Sequence, residues 1–138
     1  MAAALDLALL ESAYAQCAGL LHAAALCDAE SVPLEVFFAH AGPPDWLLEL
    51  TTRHTFDEAA PIDAASAARA MRRPRTYPES VDATMTVHTA AVGLIVKASR
   101  EAGIDTAFPR ALYDSYSSAV ARGHGAVDLP SLYEAFLG

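Results

Sequence analysis

The sequence has few basic residues. Nine lysines and arginines stand against 17 aspartates and glutamates, and the formal net charge is −8. Nucleic-acid backbones and anionic membrane surfaces both attract proteins through clustered positive charge, which this chain does not have. We therefore expect it to bind neither nucleic acid nor a membrane.

A long uninterrupted apolar run is also missing. Residues 2–27 are mostly apolar, but Asp6 and Glu11 interrupt them, and only 16 residues separate Glu11 from Asp28. A helix that spans a bilayer needs about 20 apolar residues. No basic segment followed by a cleavage pattern, the mark of a secretory signal, opens the chain. These features predict a soluble, cytoplasmic protein.

Cysteine is scarce. Cys17 and Cys27 lie ten residues apart in what reads as one helix, which places them roughly 15 Å apart and too far for a disulfide. Buried thiols in a reducing compartment are the simpler interpretation. The five histidines include no i,i+4 pair and no H-E-x-x-H pattern, so we expect no metal site.

No stretch alternates with period two, and alanine and leucine dominate, which predicts an all-α fold. The chain is long enough for one domain, residues 1–138, which we expect to be a multi-helix bundle. Prolines, glycines and capping residues set the helix ends. The predicted helices cover about 3–29, 34–41, a segment carrying Trp46 to Leu50, 62–73, 81–102, 109–122 and a last one from about 128, with a loop at 74–78.

Two of these helices show their inward face directly. In helix 81–102 a stripe recurs at spacings of three and four, and its one histidine, His88, reads as a core residue with its hydrogen bonds satisfied. The last helix opens on Asp128 as an N-cap, with Leu132, Phe136 and Leu137 inward. The stripe consists of Val81, Met85, His88, Val92, Ile95, Val96 and Ser99.

The first helix is apolar on all sides, which predicts burial on more than one side. Short helices from the same chain cover about half of such a rod, and a monomer tolerates only a few hundred Å² of contiguous apolar surface. A second copy is the simplest cover. We therefore expect an obligate, intertwined homodimer.

Several segments carry a resemblance to a known family. In order and spacing they resemble the C-terminal helical domain of imine reductases and NADPH-dependent reductive aminases, which are related to the β-hydroxyacid dehydrogenases. The resemblance runs from about residue 4 to the C-terminus and is blurred between about 42 and 78. The segments are 6–10, Tyr14, 21–26, 97–106 and 121–125.

In that family a Rossmann domain holds NADPH on a glycine-rich loop, and its helical domain interlocks with a second subunit to form the active site between them. The present sequence contains no G-x-G-x-x-G. The resemblance therefore implies a stand-alone helical domain that lacks the Rossmann domain. We expect no cofactor, with NADPH involved only if a separate Rossmann-domain protein supplies its site.

The resemblance also implies catalytic residues. Asp6 and Tyr14 match, in identity and in their eight-residue spacing, two polar side chains that many reductive aminases place near the substrate nitrogen. Eight residues of helix leave them about 80° apart in azimuth and about 12 Å apart along the axis, compatible with one elongated pocket. Two plainer interpretations stay open: Asp6 as a first-turn carboxylate that complements the helix dipole, and Tyr14 as an interface aromatic.

Apolar residues near this pair are candidates for binding a substrate. Leu10, Ala13 and Cys17 flank Tyr14 on the same helix and can form the floor of a pocket. The resemblance places Trp46, Leu50 and Tyr77 near positions that line the family's substrate pocket. A single tryptophan such as Trp46 is equally explained as a core residue.

Three functions are compatible with these residues. The first is a non-redox enzyme, a cyclase or isomerase that acts by acid–base chemistry on a small amine, imine or related biosynthetic intermediate, with Asp6 and Tyr14 as acid and base. The second is the helical subunit of a split NADPH-dependent imine reductase. The third is a binding or assembly module without catalysis. The sequence favours the first, because a pocket that keeps its polar groups is explained without a partner only if it acts alone.

Overall fold

The computed structural model describes residues 2–53, 63–72 and 83–138. These ranges form helices and short turns and contain no strand, which confirms the predicted all-α bundle. The predicted loop at 74–78 and the stripe residue Val81 lie outside the described residues. The helices are α1 (Ala2–Ala29), α2 (Leu34–Ala41), α3 (Asp45–Arg53), α4 (Ala64–Arg72), α5 (Met85–Glu101), α6 (Ala107–Ala119) and α7 (Leu132–Leu137), with a π-helical turn at Val120–His124 and a 3-10 turn at Leu129–Ser131.

Helix α1 is the longest element and packs on one face only. From Tyr14 onward the residues Cys17, Leu21, Ala24 and Ala25 are buried at spacings of three and four, the pattern of a helix that is covered on one face. Before Tyr14 the helix extends beyond the core, and Leu9 is 61% exposed. Within this one chain, α1 is therefore not covered on all sides.

The other helices pack around that buried face. Helices α5 and α6 form a hairpin across a short connection, α7 packs along α1, and α2 packs on α4. The centre of the core is closed to solvent and includes Leu21, Leu34, Met85, Tyr116 and Leu132. None of the described helices is long and apolar enough to cross a membrane.

The N-terminus of α5 is tied to the segment that precedes α7. Thr84 caps the helix by accepting a hydrogen bond from the Val87 N–H. The first N–H of α5, on Met85, donates to the Val127 carbonyl at 2.6 Å, so two segments 42 residues apart in sequence meet here. This junction brings His88, one turn into α5, next to Asp128.

The predicted helix ends near Gly103 and Asp128 agree with the structure, whereas α5 begins at Met85 and not at about 81 as predicted. Gly103 takes the left-handed conformation (φ 72°) just after α5, as predicted for a C′ residue. Asp128 caps the 3-10 turn by accepting from the Leu129 N–H at 2.6 Å. The inward placement of Leu137 is wrong: it lies at the end of a six-residue helix and is 46% exposed, whereas Leu132 is fully buried.

Candidate active site

Three polar side chains from three separate elements form one hydrogen-bonded chain inside the bundle. The Tyr14 hydroxyl on α1 lies 3.0 Å from Nδ1 of His88 on α5. The other ring nitrogen of His88, Nε2, lies 3.1 Å from Oδ1 of Asp128. The Tyr14 and Asp128 side chains are almost fully enclosed, and only 12% of the His88 side chain is exposed. A phenol, an imidazole and a carboxylate in series are able to move a proton.

Tyr116 on α6 holds Tyr14 in position through a hydrogen bond and a ring contact. Its hydroxyl donates to the Tyr14 main-chain carbonyl at 3.2 Å, and the two rings meet edge to face at 5.4 Å. The Tyr14 ring makes a second edge-to-face contact with His88, at 5.5 Å. Edge-to-face packing on two sides leaves the phenol little rotational freedom, so its hydroxyl stays directed at Nδ1.

The surroundings of Tyr14 keep its phenol protonated. Burial raises the pKa of Tyr14 above its usual value, and the negative charges of Asp128 and of an ionised Cys17 raise it further. Burial, with a smaller contribution from Asp128, raises the pKa of the Cys17 thiol from 9.0 to about 12. The pKa of Tyr116 is also raised, mainly by burial. At neutral pH all three groups are therefore uncharged, and Asp128 supplies the charge of the site.

These raised pKa values predict a loss of stability in alkali. Each group ionises more readily in the unfolded chain than in the fold, so high pH favours unfolding. The free energy of unfolding should be insensitive to these groups below about pH 7.5, where thiols and phenols are protonated in both states. It should then fall by a few kcal/mol toward pH 12. Urea titrations at pH 8, 10 and 11 measure this change.

Cys17→Ala provides the matched control for the alkaline prediction. The variant is less stable at pH 8 because it leaves a small cavity, but it loses one of the three groups that ionise. Its free energy of unfolding should therefore fall less steeply between pH 9 and 12 than that of the wild type. Parallel slopes would show that the Cys17 thiol does not contribute.

The predicted site residues of α1 share one side of the helix. At 100° per residue, Asp6, Leu10, Ala13, Tyr14 and Cys17 fall within an arc of about 100°, and the helix runs unbroken through all of them. Cys17 and Tyr14 are buried, Ala13 is partly buried, and Leu10 is 36% exposed. This side of α1 thus passes from the core to open surface within one turn of Tyr14.

Asp6 lies on the exposed part of that side. The first turn of α1 contains no acidic residue, so the alternative role of Asp6 as a first-turn carboxylate is wrong. Asp6 is exposed, two turns before Tyr14, and within one chain no described contact joins the two side chains. They share a helix face and not a closed pocket. Three clefts in the described part of the chain have volumes of about 180, 270 and 550 Å³, and neither Asp6 nor Tyr14 lines any of these three.

The candidates from the middle of the chain are less well placed. Trp46 lies on α3 and is 44% exposed, and among the described ring contacts Tyr14 meets only His88 and Tyr116. The alternative that Trp46 is a core residue is therefore wrong. Leu50 lies on α3, but its side chain is outside the described residues, as is the whole of Tyr77.

Neither a cluster of metal ligands nor a dinucleotide-binding glycine pattern is found among the described residues. Within residues 2–53, 63–72 and 83–138, no three His, Cys, Asp or Glu side chains are grouped to hold a metal ion. The closest approach to a glycine-rich loop, Gly123 to Gly125, follows α6 instead of leading into a helix N-terminus. The Gly125 carbonyl accepts bonds from the Thr86 N–H and hydroxyl. A dinucleotide-binding loop needs free N–H groups at a helix start, so these residues do not fit the cofactor.

One protein family matches the whole chain. Its description is "NADPH-dependent reductive aminase-like, C-terminal domain", and the match covers residues 1–138. The chain belongs to this family. The imine reductase resemblance is thereby confirmed, while the family description names no reaction for this domain alone. Comparisons with curated proteins and with solved structures found no match.

His88 and Asp128 are the site residues that sequence reasoning missed. His88 does face inward with its hydrogen bonds satisfied, as predicted, but its partners are Tyr14 and Asp128 and not the backbone. Asp128 does cap a helical turn, and the same oxygen also meets His88. Each residue had a sufficient structural explanation on its own. The one signal was a histidine within an otherwise apolar stripe.

Proposed function

We propose that this domain carries out acid–base chemistry at the nitrogen of a small imine or amine, without a hydride step of its own. The observation that carries the proposal is the buried Tyr14 hydroxyl, held in series with His88 and Asp128 on the same side of α1 as the exposed Asp6. An imine–enamine isomerisation, or a cyclisation through an iminium, needs those two kinds of group: a proton donor at nitrogen and an anion beside the cation.

The two residues have different roles in this proposal. Tyr14 is uncharged and enclosed, so it gives the imine nitrogen a proton and later takes it back. The Asp6 carboxylate pairs with the iminium and takes a proton from the neighbouring carbon, which yields the enamine. Leu10 lies between them and supplies an apolar floor. The substrate thus lies along α1, with its nitrogen toward Tyr14.

A cyclic imine with exchangeable carbon-bound hydrogens tests the proposal directly. The protein is incubated with 2-methyl-1-pyrroline in D₂O, and proton NMR follows the loss of signal at the carbons next to C=N. Exchange faster than the buffer blank, without NADPH, is the expected result, because each reversal of the isomerisation exchanges hydrogen for deuterium. A rate equal to that of the blank with a folded protein would contradict the proposal.

A second copy of the chain is part of the proposal. Leu5 and Leu9 are exposed one turn apart on α1, and Leu26 is exposed farther along the same helix. These side chains are defined here as the α1 apolar face. Around the helix, Leu5 and Leu26 lie about 100° or more from both Asp6 and Tyr14, and Leu9 lies about 60° from Asp6. We propose that a homodimer covers this face, in agreement with the interlocked subunits that the resemblance implies.

The family description favours a second candidate function. Because it names an NADPH-dependent enzyme, the domain is also a candidate for the helical part of a reductase whose cofactor is held by a Rossmann domain. On the imine probe the two candidates differ. Exchange without NADPH supports the first, whereas NADPH oxidation that requires an added Rossmann-domain protein, without exchange in its absence, supports the second.

The 138-residue chain is expected not to bind NADPH. The glycines Gly123 and Gly125 follow a helix instead of leading into one, and the sequence has no G-x-G-x-x-G. Titration followed by NADPH fluorescence should show no saturation below roughly millimolar concentration. Saturation in the micromolar range would reveal a cofactor site that the glycine argument overlooks, and it would favour the reductase candidate.

A further inference from the structure

We infer that His88, held by Asp128, is the proton relay behind Tyr14 and decides whether the Tyr14 hydroxyl donates to a ligand or accepts from one. The inference rests on the proposed function, which it deepens by naming the source of the proton. His88 and Asp128 are positioning residues here, since they act on a ligand only through Tyr14.

The carboxylate fixes the tautomer of His88. A carboxylate oxygen only accepts hydrogen bonds, so the 3.1 Å contact requires a proton on Nε2 of His88. A neutral imidazole carries only one ring proton, and Nδ1 is then a bare acceptor. The Tyr14 hydroxyl, 3.0 Å from Nδ1, must donate to it. While His88 is neutral, Tyr14 therefore has only lone pairs to present to a ligand.

Protonation of His88 reverses the direction of that bond. The imidazolium carries protons on both nitrogens, so Nδ1 donates to the Tyr14 oxygen and the hydroxyl proton is free to point at a ligand. In the transfer step Tyr14 gives its proton to the imine nitrogen while it receives the Nδ1 proton of His88. The products are an iminium and a neutral His88, and the reverse step restores the imidazolium. Asp128 keeps the Nε2 proton throughout.

Among the described groups that contact Tyr14, His88 is the one that takes up and releases the proton of the relay. The titratable groups around the relay are Tyr14 and Cys17 on α1, Tyr116 on α6 and Asp128 before the 3-10 turn. Tyr14, Cys17 and Tyr116 have raised pKa values and stay neutral near pH 7. Imidazoles ordinarily change charge between pH 5 and 8. The hydrogen-bond direction at Tyr14 therefore follows the protonation of the His88 imidazole.

Two amide substitutions divide the role of His88 into halves. The His88→Asn variant places an amide oxygen at the position of Nδ1. This oxygen still accepts a hydrogen bond from the Tyr14 hydroxyl, but it takes up no proton. The His88→Gln variant directs an amide N–H toward Asp128, but it provides no acceptor for the Tyr14 hydroxyl. If His88 only positions Tyr14, His88→Asn should keep the wild-type exchange rate with 2-methyl-1-pyrroline. If it relays a proton, both variants should lose at least tenfold.

The pH dependence of the exchange rate distinguishes a proton relay from a merely structural role of His88, because a structural role would leave it unchanged. The ratio of variant to wild-type exchange rates cancels the ionisation of the imine itself. For His88→Asn this ratio should change with pH, because only the wild type has an imidazole whose protonation reverses the hydrogen bond to Tyr14. Asp128→Asn keeps the cap on the Leu129 N–H and should lower the rate as well. A constant ratio, or a fully active His88→Asn variant, would overturn the relay.

Nitrogen NMR separates failure of the relay from failure of the proposed function. In protein with ¹⁵N-labelled histidine and no imine present, His88 should show the Nε2–H tautomer at pH 8 and protons on both nitrogens in acid. An Nδ1–H tautomer at pH 8 would overturn the relay whether or not the imine probe reacts. The expected tautomer together with no exchange by the wild type would contradict the proposed function and also the relay, which then has no proton to deliver.

Discussion

Replacing Tyr14 by phenylalanine should slow exchange of the imine probe by about 10²–10⁴-fold, the usual loss when a positioned acid–base group is removed. The ring keeps its edge-to-face contacts with His88 and Tyr116. The main-chain carbonyl that accepts from Tyr116 is also unchanged. Only the hydroxyl is lost, with its hydrogen bond to Nδ1. The exchange rate in D₂O, relative to the blank, is the measurement.

The stability of Tyr14→Phe should change little by comparison. One intramolecular hydrogen bond contributes about 1 kcal/mol net, so the melting temperature should fall by only a few degrees. Tyr113→Phe is the matched control: Tyr113 lies on α6, partly exposed, and lines the cleft between α5 and α6 instead of the site. Its variant should exchange at the wild-type rate. Equal rates for the wild type and Tyr14→Phe would show that Tyr14 is structural.

Asp6→Asn examines the other half of the pair. The substitution keeps the shape and removes the charge, and Asp6 is exposed on α1 beyond its first turn. Stability should therefore change by less than about 0.5 kcal/mol. A slower exchange at unchanged stability would show that its carboxylate serves the cation. If the rate is unchanged while Tyr14→Phe is slow, the anion beside the nitrogen comes from elsewhere.

The helices could be predicted from sequence because their signals are local. Gly103 ends α5 through its left-handed backbone, and Asp128 caps the 3-10 turn that follows it. Spacings of three and four identified the buried face of α5, whereas α1, apolar on all sides in sequence, gave no such stripe. Each of these signals lies within a few residues of the feature that it determines, so one sequence is enough to read it.

The hydrogen-bonded site could be predicted only in part, because it is not local. Tyr14 was found through its family position, but its partner His88 is 74 residues away and Asp128 is a further 40. His88 and Asp128 come together where the Met85 N–H donates a hydrogen bond to the Val127 carbonyl. No periodic pattern in the sequence predicts that bond. Burial also gives both residues an ordinary explanation, as a core histidine and a cap. Only the fold shows that they are hydrogen-bonded in series with Tyr14.

Substituting glutamate for Leu21 should abolish the fold. Leu21 is fully enclosed on the buried face of α1, and burying such a side chain contributes about 1.5–3 kcal/mol. The carboxylate would add several kcal/mol of desolvation with no cationic partner supplied by the change. Together these costs are comparable to the whole stability of a small domain, about 5–15 kcal/mol. Circular dichroism should show reduced helix content and no cooperative thermal transition.

Leu9→Glu on the same helix distinguishes the core of one chain from the proposed contact between two. Leu9 is 61% exposed within a chain, so the charge costs the folded monomer little, and helix content should match that of the wild type. If a second copy covers the α1 apolar face, the charge would instead be buried between subunits. Sedimentation equilibrium at micromolar concentration should then give twice 14.5 kDa for the wild type and 14.5 kDa for the variant. A wild-type monomer would disprove the dimer, and a variant that stays dimeric would place the subunit contact on another face.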